Sequence, residues 1–256
     1  MPDFLDPGAL LSLLAAGAAI GAVGGLLGIG GGVIAVPVLL ELLAAQGMTA
    51  EDATPLAIGT AQAVILLSSI AAAWAHHRRG SVEPALLRAW LPAVTLGGLA
   101  GLALAPVLPA TLSLSVFAAI ALALGLSLLR APGGADADRV PRGRMPPAAI
   151  GLLSSALGVG AGTLSGPVLG LLHVPLPRAV GAGAVFNLAV SLPAAFGFGL
   201  AGQVSPVATV LLALPAMATA PGFARLATRH PVARLRLVFA ACLVAIALRV
   251  ATRLLG

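Results

Sequence analysis

Charge is what this sequence has least of. Only 9% of its 256 residues are Asp, Glu, Lys or Arg, against about 25% in a typical soluble domain. With mean hydropathy +1.08, too few charges remain to build a surface facing water, so the surface is expected to face lipid. Lysine is missing altogether, which removes the phosphate-binding lysine of a Walker loop and with it ATP-driven chemistry in this chain. A single cysteine, Cys242, excludes an internal disulfide and a thiolate metal site. The eight acids (Asp3, Asp6, Glu41, Glu51, Asp52, Glu83, Asp136 and Asp138) fall in expected loops or at segment ends. A carboxylate relay at the membrane midplane is therefore not expected, and no nucleophile has an evident base, which argues against an intramembrane enzyme. The four histidines also fall at segment ends, and His76 and His77 read as interfacial residues rather than metal ligands. No cofactor is implied.

What is present is a series of apolar runs, several about as long as a helix needs to cross a bilayer. They fall roughly at 9–45, 56–75, 89–106, 112–129, 147–172, 179–200, 206–224 and 235–252, with breaks carrying Pro, Gly or Arg. A helix satisfies its own backbone hydrogen bonds in lipid, so all are read as helices. The expected fold is an all-α integral membrane protein with about seven to eight transmembrane segments. Net charge is +6. It sits in arginine clusters at 78–88, 130–144 and 225–236, which places those loops on the cytoplasmic side of a membrane rather than on nucleic acid. The start, MPDFLDPG, lacks a basic region, so no cleavable signal peptide is expected and Leu10 onward is read as part of the mature fold.

The two halves resemble each other. Leu27-Gly28-Ile29-Gly30-Gly31-Gly32 leads to Pro37-Val38-Leu39, and 130 residues later Leu157-Gly158-Val159-Gly160-Ala161-Gly162 leads to Pro167-Val168-Leu169. Ala57-Ile58-Gly59 and Gly80-Ser81-Val82 recur 122 residues on, at Ala179-Val180-Gly181 and Gly202-Gln203-Val204; Leu91-Pro92-Ala93 recurs after 123, at Leu214-Pro215-Ala216. This order reads as a duplication of the kind found in secondary transporters, with a first repeat at 9–130, a cytoplasmic linker at 131–147 and a second repeat at 148–253. The uncharged loops 107–113 and 201–205 are placed outside. An odd number of crossings must then separate the 130–144 loop from 201–205, so one of the two intervening segments cannot cross. The glycine-rich 147–172 segment is the natural one to break and re-enter, returning His173 and Arg178 to the cytoplasm. The same device at 17–45 leaves Glu51 and Asp52 outside, and the repeats are inverted. Residues 9–27 leave room for a further crossing.

The breaks are also where chemistry is expected. A broken helix presents unpaired N–H groups and the positive end of its dipole, which together suit an anion. The candidate donors are the backbone at Gly30, Gly31, Gly32, Gly160 and Gly162, with side chains Thr60, Gln62, Thr163, Ser165, Asn187 and Ser191. Asn187 and Ser191 are four residues apart and share a helix face. Ser69 and Ser191 match at the 122-residue spacing. The competing reading is that the glycines serve close helix packing and the hydroxyls satisfy their own helices; the chain would then be a non-transporting scaffold or accessory subunit. Saturable flux separates the two.

The glycine-rich stretches at 28–37 and 158–167, Ala57-Ile58-Gly59-Thr60, and His76-His77-Arg78-Arg79-Gly80-Ser81-Val82-Glu83 resemble the sulfite exporter TauE/SafE family over about residues 15–250. The resemblance implies seven or eight membrane helices and a permease for small sulfur-containing anions, such as sulfite or organosulfonates. Two positions depart from the pattern. Ala182 stands opposite Thr60, removing a paired threonine, and Glu83 stands where the family often has Asp. The sequence is compatible with a homodimer and fixes neither the direction of transport nor the coupling ion.

Overall fold

The computed structural model describes residues 4–27, 30–129, 141, 143–226 and 232–255. Among them the chain forms ten α-helices: α1 (Pro7–Leu27), α2 (Gly32–Ala45), α3 (Ala50–Arg78), α4 (Pro84–Leu104), α5 (Ala110–Leu129), α6 (Met145–Leu157), α7 (Ala161–Leu171), α8 (Leu176–Leu200), α9 (Pro206–Leu226) and α10 (Val232–Leu255). A single 3-10 turn, Ala105–Val107, follows α4. Six helices are long and apolar enough to cross a membrane, and α2, α6 and Ala240–Thr252 are shorter apolar pieces. At 1.5 Å per residue, the 29 residues of α3 span about 43 Å, ample for a hydrocarbon core of about 30 Å. Large apolar side chains point outward from the bundle, including Leu96, Phe196, Leu200 and Leu214, each more than 60% exposed. Such a surface suits lipid and not water.

The described ends of these helices match the expected breaks, with two adjustments. The helix expected at 56–75 is longer at both ends. Thr49 caps it by accepting from the Asp52 N–H, and Glu51 and Asp52 fill its first turn, favourable beside the positive end of the dipole. At the other end His76, His77 and Arg78 form the last turn of α3 rather than part of a loop, leaving only 79–83 as the connection. Arg78 stacks over Trp74 at 4.8 Å, an aromatic and a cation together at a helix end as membrane interfaces favour. The arginine-rich stretch 130–144 lies largely outside the described residues, as do 227–231 of the stretch 225–236, whose flanks belong to α9 and α10.

Contacts between connections define two ends. At one, Arg178 at the start of α8 pairs with Glu83 before α4 at 3.2 Å. At the other, Glu51 accepts from the Ala110 N–H at 3.3 Å, and Thr60 accepts from the Ser205 N–H at 3.0 Å. Helix α6 runs parallel to α4, since Ala148 lies against Gly97 and Leu152 against Gly101. It stops at Leu157, and α7 turns back to the Arg178–Glu83 end. Helix α1 runs parallel to α9, with Gly17 against Leu212 and Gly21 against Ala216. Its partner α2 returns to the Glu51 end. The two glycine-broken pairs thus begin and end at opposite ends of the bundle. Packing follows the same exchange: α1 lies on α9 as α6 lies on α4, α3 lies against α8, and α5 against α10.

The break between α6 and α7 depends on two left-handed glycines, Gly158 at φ 70° and Gly160 at φ 94°, a conformation that other residues adopt only under strain. The α4–α6 seam depends on close approach instead. A Cβ on Gly151 would strike the carbonyl oxygen of Val94 and sit 2.7 Å from the Gly98 nitrogen, both backbone atoms fixed in helices. Gly151→Val should therefore abolish recovery of folded, monodisperse protein in detergent. Gly199→Ala, where a Cβ meets nothing within 4 Å, should leave the melting temperature unchanged or raise it through the roughly 1 kcal/mol helix preference of Ala.

Candidate functional site

The two breaks meet near the middle of the bundle. Gly30 and Gly160, 130 residues apart in sequence, face each other so closely that a Cβ on either would lie 3.3 Å from the Cα of the other. A Cβ on Gly32 would collide with the carbonyl oxygen of Gly158. The Thr163 hydroxyl bridges the breaks, reaching the Gly30 carbonyl at 3.0 Å and, within its own turn, that of Val159 at 3.1 Å. Two backbone carbonyls freed at the crossing are thereby satisfied by protein, as burial requires.

Asn187, from the middle of α8, closes the start of α7: its Oδ1 accepts from the Gly162 N–H at 2.8 Å. The Thr163 N–H is taken by the Gly160 carbonyl at 3.1 Å. The first half has no such amide. At the 122-residue spacing Asn187 corresponds to Ile65, whose side chain lies against Gly32 at the start of α2. One break is thus capped by a polar group and the other by an apolar one.

A cavity of about 120 Å³ leads to this crossing, several times the space one water needs. Gly30, Gly31 and Asn187 line its inner part, and His76 and Arg79 line the part at the Arg178–Glu83 end. Its walls are α1, α3, α8 and α9, with Gly24, Gly25, Ser68 and Ser69 among the lining residues. A positive side chain at one end and hydrogen-bonding groups at the other suit a small anion.

The opposite flank of the crossing is shut. Gln62 on α3 donates to the carbonyls of Ser154 and Ser155 at 2.7 and 3.3 Å, and accepts from Ser191 at 2.8 Å. This buried amide holds α3, α6 and α8 together. Of the expected candidates, Gly30, Gly31 and Asn187 line the cavity, and two others are turned to purely local contacts. Thr60 caps the chain at Ser205 before α9, and Ser165 turns onto the Gly162 carbonyl at 3.3 Å, beside Gly183.

Three kinds of residue escaped the sequence reading. His76 and Arg79 were read only as interfacial and topological, because their approach to the cavity depends on how α3 ends. Ser69 carries a repeat signal but no site, and Ser68 carries neither. Ser154 and Ser155 precede the second break and are wholly buried, and their hydroxyls have no hydrogen-bond partner among the described residues. Leaving such a group unpaired costs roughly 1–3 kcal/mol. The described residues contain no cluster of metal-ligating side chains.

Comparison with known proteins agrees with this architecture. The chain matches the sulfite exporter TauE/SafE family over residues 13–250. It is 28% identical over 206 residues to a probable membrane transporter protein of Haemophilus influenzae, covering 77% of this chain and 76% of that one. No solved structure matches it significantly. The family match extends over nearly the whole helical bundle, and the chain therefore belongs to the sulfite exporter TauE/SafE family of membrane transporters.

Proposed function

We propose that the chain is a secondary transporter of the bacterial inner membrane that moves small sulfur-containing anions, such as sulfite or organosulfonates, by alternating access. The observation that carries this is the one-sided cavity running from Arg79 to the crossing of two helix breaks at Gly30 and Asn187. The positive-inside rule assigns the Arg78, Arg79 and Arg178 end to the cytoplasm, so the cavity is read as cytoplasm-facing. Two glycine-broken pairs inserted from opposite ends, each packed on a helix of the other half, support an inverted repeat.

In this reading Arg79 and His76 attract and admit the anion, and the crossing binds it. Asn187 already commits Oδ1 to Gly162, leaving its Nδ2 as the donor for a ligand oxygen. An anion seated deeper takes the place of Oδ1 at the Gly162 N–H, where the α7 dipole adds its attraction. Neutral donors suit transport: they replace part of the anion's hydration without holding it as tightly as a fixed charge. Sulfite and sulfonates present several acceptor oxygens on one centre, matching donors from two half-helices.

The primary test is sulfite uptake by the purified chain in proteoliposomes, where saturable flux is expected. Its absence together with the absence of a thermal shift would overturn the reading. In detergent, sulfite at about a hundred times its Kd should stabilise the fold by roughly 2.7 kcal/mol, with matched carboxylates giving a smaller shift. A shift with carboxylates alone would discard the sulfur anions and keep the transporter.

Substitutions at the crossing should grade with the space available. Gly30→Ala meets Asn187 side-chain atoms at 3.2 and 3.3 Å, so it should fold, displace the amide and lower uptake at least tenfold. Gly32→Ala meets a backbone carbonyl and should lose the folded state. Asn187→Ala should remain folded, at a cost of about 1 kcal/mol for the lost cap, and lose nearly all flux; full flux in that variant would exclude Asn187 from the site.

A further inference from the structure

Ser154 and Ser155 occupy the last turn of α6, entirely buried, with neither hydroxyl hydrogen-bonded among the described residues. Other hydroxyls on these helices avoid that state by turning back one turn: Thr95 to Leu91, Ser115 to Thr111, Thr209 to Ser205, Thr219 to Pro215. The amide of Gln62 stands beside the pair but bonds to their backbone carbonyls, not to the hydroxyls. Two adjacent polar groups are therefore stored where alanine would fit as well.

Their register gives them a use. At the 130-residue spacing Ser154 and Ser155 correspond to Gly24 and Gly25, which line the open cavity. At the 122-residue spacing Ser191 corresponds to Ser69, and Gln62 to Ala184, again both cavity residues. The side chains packed shut around α6 thus stand where the open side has its lining. The difference lies at one position: Gln62 ties α6 to α3 and to Ser191 of α8, where Ala184 can make no such tie on the open side, while the glycine seams of α4 with α6 and of α9 with α1 are closed alike.

Resting on the transporter reading, we propose that Ser154 and Ser155 are substrate-binding hydroxyls of a second vestibule, closed in this conformation and opening toward the Glu51 end. Their ligand is the same class, a small oxyanion with several acceptor oxygens. Opening releases Gln62 from the two carbonyls and from Ser191, parts α6 from α3 and α8 while α6 stays on α4, and lets the Gln62 Nε2 join the hydroxyls as a third neutral donor. The anion then passes from the Asn187 side of the crossing to the Ser154 side without meeting an opposite charge.

Alanine variants separate this role from a structural one. Removing an unpartnered buried hydroxyl takes away no bond, so Ser154→Ala/Ser155→Ala should keep or raise the melting temperature. In proteoliposomes its sulfite uptake should fall at least tenfold. Uptake equal to that of the unchanged chain, at unchanged stability, would overturn the proposal while leaving the Asn187 site standing. A second measurement reads the vestibule whatever the cargo. In a Cys242→Ser background, Ser155→Cys should react with a membrane-impermeant anionic thiosulfonate applied from the Glu51 side, and Ser68→Cys from the Arg79 side. An inert Ser155→Cys beside a reactive Ser68→Cys sinks the second vestibule. Reaction at both, with no sulfite flux in the unchanged chain, supports the vestibule and rejects sulfite as cargo.

Discussion

Interrupting a helix inside hydrocarbon exposes backbone groups that no lipid can satisfy, and the arrangement of this protein follows from where it makes those interruptions. Both breaks are placed at the centre and pressed against each other, so that each supplies partners or cover for the other. Thr163 binds the Gly30 carbonyl across the crossing, and Asn187 takes the Gly162 N–H. The approach leaves little room, since a Cβ on Gly30 would lie 3.3 Å from the Gly160 Cα, and at Gly32, against the Gly158 carbonyl, it leaves none. Long helices α3 and α8 pass on either side and bring Gln62 and Asn187 to the same depth. The site is polar because the backbone there is broken, and the break is tolerated because protein surrounds it.

Much of this was legible in the sequence. The scarcity of charge dictated a lipid-facing surface, and the glycine runs at 28–32 and 158–162 marked the breaks. The argument from arginine-bearing loops, which required the 147–172 segment to turn back, agrees with α6 and α7 of 13 and 11 residues, each too short to span. About seven to eight transmembrane segments were expected, the first of each repeat glycine-broken or re-entrant; six described helices have the length and apolarity to span, and α2, α6 and Ala240–Thr252 are shorter apolar pieces. Side-chain roles were less legible. Thr60 and Ser165 have the composition of binding residues, yet register turns one toward a loop nitrogen and the other onto its own helix. Arg79 reads as a topology signal until the bundle places it beside a cavity. Spacing reports which residues share a face of one helix, but it does not report which neighbour that face meets.

The resemblance between the halves matters most where it fails. Thr60 faces the register of Ala182, Gln62 that of Ala184, and Asn187 that of Ile65. Each half therefore contributes a polar group that the other lacks. Gln62 belongs to the shut flank and Asn187 to the open one. In the proposed inverted repeat, paired packing is kept while the two flanks present different polar groups.

The seams that join the halves have one further property. Where α1 meets α9 and α6 meets α4, glycines face carbonyl oxygens and set backbone against backbone; the α1–α9 seam is also pinned by the Thr219 hydroxyl, which donates to the Ala18 carbonyl at 3.1 Å. An interface of interlocked side chains must find new rotamers every time it parts and recloses, and each hop adds friction and lost entropy. A glycine contact has no rotamer to reset, so the α4–α6 joint at Gly97, Gly101 and Gly151 is stiff because the fit is tight and recloses there without repacking side chains.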